Sequence, residues 1–205
     1  MSAAPSFDEA FAAKLGELLA WRRDVRRFRT DTLPEALLEK LLALMQLSPS
    51  VGHSQPWRWV RLRDLKQRAA VQASFAACNA AALADYEGEQ ARLYASLKLE
   101  GLREAPEQFA VFCDHGTLQG HGLGRRTMPE MLDYSVVAAI TQFWLAARAH
   151  GVGVGWVSIL DPDAVRRIVE APPEWKLVGY LCVGFPVEEH DVPELVRAGW
   201  EKGRS

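Results

Sequence analysis

The sequence predicts a sandwich of helices and strands, α+β or α/β, arranged around one dominant central helix. Three observations carry this reading. Met131 to His150 is apolar on nearly every side, with Val136, Val137, Ile140, Phe143, Trp144 and Ala147. A helix of that kind belongs inside a core, and at 1.5 Å per residue it spans roughly 30 Å, about a small domain's width. Around it lie roughly four strand-like runs separated by long helical segments: Trp57 to Leu62, Phe109 to Cys113, the run from Gly151 to Leu160, and Trp175 to Phe185. Finally, the 205 residues are 49% hydrophobic and 24% charged, an ordinary globular balance. The length suits one domain over 1–205, which buries roughly 70% of its unfolded surface and needs no staples.

The elements follow in chain order. Phe7 to Trp21 reads as a helix, because Ala10, Phe11, Leu15, Leu18 and Leu19 fall at helical spacing. Ser6 can cap it, with Glu9 three residues on as in a capping box. Its end delivers Arg22, Arg23, Asp24, Val25, Arg26, Arg27 and Phe28. If the helix continues, Arg22 pairs with Arg26 and Arg23 with Arg27 on single faces. Two guanidinium forks on one face suit a dianionic phosphate, although dense charge also marks plain solvated surface. Asp24 is then a salt-bridge partner or a catalytic carboxylate with a depressed pKa. A second helix runs from about Pro34 to Gln46, with Thr32 as N-cap and Pro34 in the first turn.

The stretch from Ser48 to Trp57 is a loop by composition. It is a simple connection or a site whose small residues admit a flat ligand, with Ser50 and Gln55 bonding its edge. Leu65 to Arg103 reads as helical with a break near Asp85 to Gly88, a lid over about 65–105 or a helical hairpin. Asp114 to Pro129 is irregular and basic. Its His115 and His121 have no third ligand in view, so they do not make a zinc site. Alternate glycines at Gly151, Gly153 and Gly155 leave one side of the backbone bare, where a ligand or another backbone can approach. The order, helix before glycines, is not that of a phosphate-cradling nucleotide loop. Asp161 caps a short helix reaching about Glu170. Residues 190–205 read as a polar tail extended over a partner.

Net charge is −2, so no global field favours nucleic acid or an anionic membrane. Cys78, Cys113 and Cys182 have neither zinc nor redox spacing. They read as buried thiols in a reducing cytosol. Met1 to Ser6 lacks the build of a secretion signal, and the apolar region from Tyr134 to Leu160 is too interrupted for a membrane span. A cytoplasmic protein follows.

Taken together, the stretches form a pattern: Arg22 to Arg26, Ser48 to Gly52 with Gln55, Pro56 and Trp57, and Ser96 to Gly101. Leu123 to Arg125, Pro129 to Met131 with Tyr134 and Ser135, and Trp144 to Ala149 running into Gly151 to Ser158 complete it. The chain resembles the flavin-dependent nitroreductases over about residues 10 to 200, and among them the 5,6-dimethylbenzimidazole synthases. Three features narrow the resemblance to the synthases: Asp24 where general nitroreductases carry a small polar residue, Ser96 to Gly101 in the lid, and Gly155 to Ser158 after the central helix. The resemblance implies an α+β, nitroreductase-like sandwich with a mixed, mainly antiparallel sheet and a dimeric build, FMN lying at the subunit interface. It implies an oxidoreductase that takes reduced FMN and O2 and fragments the flavin to the lower ligand of vitamin B12. A separate flavin reductase would supply the FMNH2.

By the same resemblance, Asp24 and Ser158 match catalytic positions. Arg22, Arg23 and Arg26 contact FMN, with Val25 beside them. Ser50, Gly52, Gln55 and Pro56 lie along the isoalloxazine, and Leu97, Lys98 and Leu99 close over it. The phosphate-facing cation of the tail is Arg197, Lys202 or Arg204, or is missing. One departure concerns Asp133: synthases read Met-Asp-x-Tyr-Ser, whereas here Leu132 intervenes, turning Asp133 about 100° on a helix. The alternatives are an NAD(P)H-dependent nitroreductase or quinone reductase, a non-catalytic flavin carrier and a corrinoid reductase.

Overall fold

The computed structural model describes residues 4–203. Alternating side chains on two strands build the core. Phe109, Val111 and Cys113 face one side of β2 (Glu107–Asp114), and Ala110 and Phe112 face the other, as a period of two requires. β2 and β4 (Trp175–Gly184) lie at the centre of a four-stranded sheet ordered β1-β2-β4-β3, with β1 at Trp57–Arg61 and β3 at Gly153–Val157. All three strand pairings are antiparallel. On one face α5 (Met131–Ala149) packs Val136, Ile140 and Phe143 against the sheet, backed by Leu38, Leu41 and Met45 of α2 (Glu35–Met45). On the other, Val71 and Phe75 of α3 (Leu65–Ala84) and Val165 of α6 (Pro162–Ile168) meet Phe112 and Tyr180. The expected sandwich around a central helix is present.

Several expectations are corrected. The first helix, α1, runs Glu9–Trp21 and is capped by Asp8, whose carboxylate accepts from Phe11 N–H at 2.8 Å, rather than by Ser6. It stops at Trp21: Arg22 is extended, and Asp24 and Phe28 form bridges to Val154 and Pro186. The arginines therefore line an extended segment and do not share a helix face. The backbone hydrogen bond from Val25 N–H to the Val154 carbonyl (3.0 Å) overrides helix continuation. Pro34, not Thr32, stands at the N-cap of α2. The helical reading of 65–103 divides into α3 and α4 (Gly88–Ser96), and Leu97 is extended. Cys78 is half-buried, whereas Cys113 and Cys182 are fully buried. The tail is not simply extended: it holds a turn of helix, α7 (Glu194–Arg197), and sets Trp200 edge-on to Tyr86 and Tyr94 of the excursion. Arg204 lies outside the described residues, as do Met1, Ser2 and Ala3.

Candidate active site

The arginine segment owes its position to two close approaches. Gly155 and Gly153 let Val25 lie against β3; a Cβ on Gly155 would run into the Val25 carbonyl oxygen, and one on Gly153 into the Val25 side chain. The bare side of this strand is thus filled by backbone. Asp24 is anchored there. Its Oδ1 accepts from Trp156 N–H at 2.8 Å and its Oδ2 from Arg26 Nε at 3.0 Å. Burial pushes the Asp24 carboxyl up, although the Trp156 N–H and Arg26 pull it back. This corrects the expected depression: desolvation outweighs the ion pair. A carboxyl raised by burial and fixed by two donors is suited to exchanging protons.

Around Asp24 opens a cleft that is partly open to solvent. Arg23, Asp24, Val25, Arg26, Arg27, Trp144, Arg148 and Arg197 line it, together with Glu188, Glu189 and Glu194 of the tail. Arg27 pairs with Glu194 at 2.7 Å, and Arg148 pairs with Glu189. Arg23 donates to the Arg22 and Asp191 carbonyls, while its buried Nε has no partner. The side chains of Arg22 and Arg197 have no hydrogen-bond or ion-pair partner among the described residues; the Arg22 guanidinium lies 4.8 Å from the Trp144 ring centroid and is not part of the cleft wall. Arg26 Nη1 donates to the Lys98 carbonyl at 2.9 Å, so the Leu97–Leu99 segment is drawn to Asp24.

The other expected residues lie elsewhere. Ser50, Gly52, Gln55 and Pro56 occupy the loop by the opposite end of α5, where Ser50 Oγ accepts from Gln55 N–H and Ser135 Oγ from Val51 N–H, both at 3.0 Å. Nine residues of helix separate Ser135 from Trp144, about 14 Å of rise. Ser158 is exposed just past β3 and does not line the cleft, nor does Lys202. Asp133 faces His115 and Lys176, away from the cleft. Sequence reasoning missed Trp144 as a site residue: its indole N–H donates to the Arg23 carbonyl at 3.2 Å and fixes the segment's backbone. The one available signal was that a tryptophan in an apolar helix needs a partner for its N–H. The tail acids gave no signal.

The nitroreductase family model matches residues 19–185, most of the chain. The chain belongs to the nitroreductase family. Within that family it is 55% identical to a 5,6-dimethylbenzimidazole synthase of Rhodospirillum rubrum, covering 100% of this chain and 97% of that protein. A 5,6-dimethylbenzimidazole synthase of Rhodobacter capsulatus is 49% identical, covering 96% of this chain and 95% of that one. The nitroreductase-fold structure of iodotyrosine deiodinase with FMN and 3-iodo-L-tyrosine superposes with a TM-score of 0.72 at 24% identity, covering 86% and 91% of the two chains.

Proposed function

We propose that this nitroreductase-family protein is a 5,6-dimethylbenzimidazole synthase that consumes reduced FMN and O2. Asp24 carries the reading: a carboxyl raised by burial, held by the Trp156 N–H and Arg26, stands at the head of an arginine-lined cleft. The high identity to two synthases supports it. The residues present fit an anionic flavin nucleotide. Arg197, which lines the cleft without an ion-pair partner among the described residues, is a donor available to a phosphate, and charge-assisted bonds of this kind are the strong ones; Arg22 does not line the cleft. Bound reduced flavin would supply the electrons and the carbon skeleton for the reaction with O2.

The chain's own groups do the rest. Asp24 takes and returns protons next to the ring. Arg26 and the Trp156 N–H hold its carboxyl in place, and Leu97, Lys98 and Leu99 exclude water on the side where Arg26 grips the Lys98 carbonyl. Ser158, which does not line the cleft of its own chain, and Ser50, Gly52, Gln55 and Pro56 would border the flavin ring only in a site completed from two chains. The separation of this loop from the cleft along α5 favours a site completed across a homodimer. Phe11, Leu15 and Leu19 of α1, exposed at four-residue spacing, with Phe7 just before the helix, form the apolar stripe that needs covering. A separate reductase supplies the FMNH2. The free cysteines fit a reducing cytosol, and no helix among the described residues is long and apolar enough to cross a membrane.

The deciding experiment reduces FMN anaerobically with the protein, admits O2 and separates the products by chromatography. Formation of 5,6-dimethylbenzimidazole with loss of flavin is the expected result. Quantitative return of intact FMN overturns the reading.

A further inference from the structure

At the other end of β2 from the cleft, three side chains converge that the flavin chemistry does not use. Cys113 nears the end of β2, His115 follows in the turn, and Asp133 sits in the first turn of α5. Their thiol sulfur, ring nitrogen and carboxylate oxygen all lie within 4.8 Å of one another. His115 Nε2 is 3.0 Å from Asp133 Oδ1, and Lys176 Nζ of β4 is 2.8 Å from Oδ2. The neighbouring charges are already satisfied: Asp114 accepts from Arg58 at 2.7 Å and from Gly116 N–H at 3.0 Å.

The geometry points to a site for a thiophilic divalent cation, Zn2+ or Co2+, on Cys113, His115 and Asp133. One thiolate, one imidazole and one carboxylate select such ions over Mg2+ or Ca2+, which take oxygen ligands. Three protein ligands leave a fourth position for water. On binding, the Cys113 S–H bond breaks and its proton passes to solvent, while the metal keeps its oxidation state. Lys176 now holds Asp133 electrostatically; its side chain is largely exposed, so the ammonium can swing into water as the cation enters. A bound ion would staple the end of β2, the 115–130 loop and the start of α5. It is independent of the flavin reading.

The test uses the full chain, stripped with a chelator and titrated anaerobically with Co2+. The expected result is one equivalent bound with a near-ultraviolet thiolate-to-cobalt charge-transfer band. Cys113→Ser loses the band and Cys78→Ser keeps it. His115→Gln and Asp133→Asn each weaken binding at least about tenfold, since even outer-shell losses cost 10–100-fold. Lys176→Met tightens binding by removing the competing ammonium, and its exposed position leaves the fold intact. No band in the wild type, a band surviving Cys113→Ser, unchanged affinity in both ligand variants, or weakened binding in Lys176→Met would each overturn the site and leave only a hydrogen-bonded cluster.

Discussion

The Trp144–Arg148 end of α5 is walled by guanidinium groups and tail carboxylates, whereas the Tyr134–Ser135 end is walled by glycine-bearing loops and exposed apolar side chains. The first end has guanidinium charge, the buried Asp24 carboxyl and the ring of Trp144. The second offers close backbone: a Cβ on Gly52, at φ +55°, would meet the Leu123 carbonyl oxygen at 2.8 Å. In the homodimer proposed above, the charged end of one chain would meet the loop end of its partner, so that each chain would contribute two half-sites.

The largest effect tests the charged end. In Asp24→Asn, benzimidazole formation falls by about 10²–10⁴, the usual share of a general acid–base group, while FMN affinity, read by fluorescence quenching, holds. A parallel fall in affinity would make Asp24 a mere arginine partner. Stability supplies a sign. Burial raises the Asp24 carboxyl, so its ionised form costs the fold at neutral pH and that cost disappears as pH falls below the ordinary carboxylate range. Asp24→Asn therefore gains most relative to wild type near neutrality, and the gap narrows in acid, as urea titrations at several pH values will read.

Next comes the pairing of the two ends. Phe11→Asp with Leu15→Asp puts charge on the exposed α1 stripe. Sedimentation should show monomers, with FMN affinity lost in step; a monomer that still binds FMN breaks the two-half comparison. Smaller again is Ser135→Ala, which strips the acceptor from Val51 N–H and costs about 1–3 kcal/mol of unfolding free energy. The smallest is Glu189→Gln at the charged end, at most about 1 kcal/mol, because the ion pair with Arg148 is partly exposed. A larger cost would mean that the charged end supports the fold as well as the ligand.

Much of this was legible in the sequence because it rests on local pattern. The all-round apolar face from Val136 to Ala147 announced α5, and the four strand runs fell within about three residues of their observed bounds. The helix end at Trp21 was legible as well, but whether the helix continues through the arginines is decided non-locally: nothing in Trp21 to Arg27 says that Val154 will capture Val25. The pKa of Asp24 was misjudged likewise: the nearby arginines are visible in sequence, but the burial that outweighs them is not. His115 and Asp133 looked unrelated because only the β2–α5 juxtaposition brings them to 3.0 Å.

The bond between Asp24 and the Trp156 amide joins residues 132 positions apart, and the bridge from Phe28 reaches Pro186. Contacts that close such long loops form late and depend on everything between them. During synthesis from the N-terminus, the arginine segment emerges early but has no strand to lie on until β3 and β4 are complete. A nascent chain is thus unable to hold Asp24 against β3 until nearly all of it has been made, and a chain cut short before β4 carries the arginine segment without the sheet that fixes it.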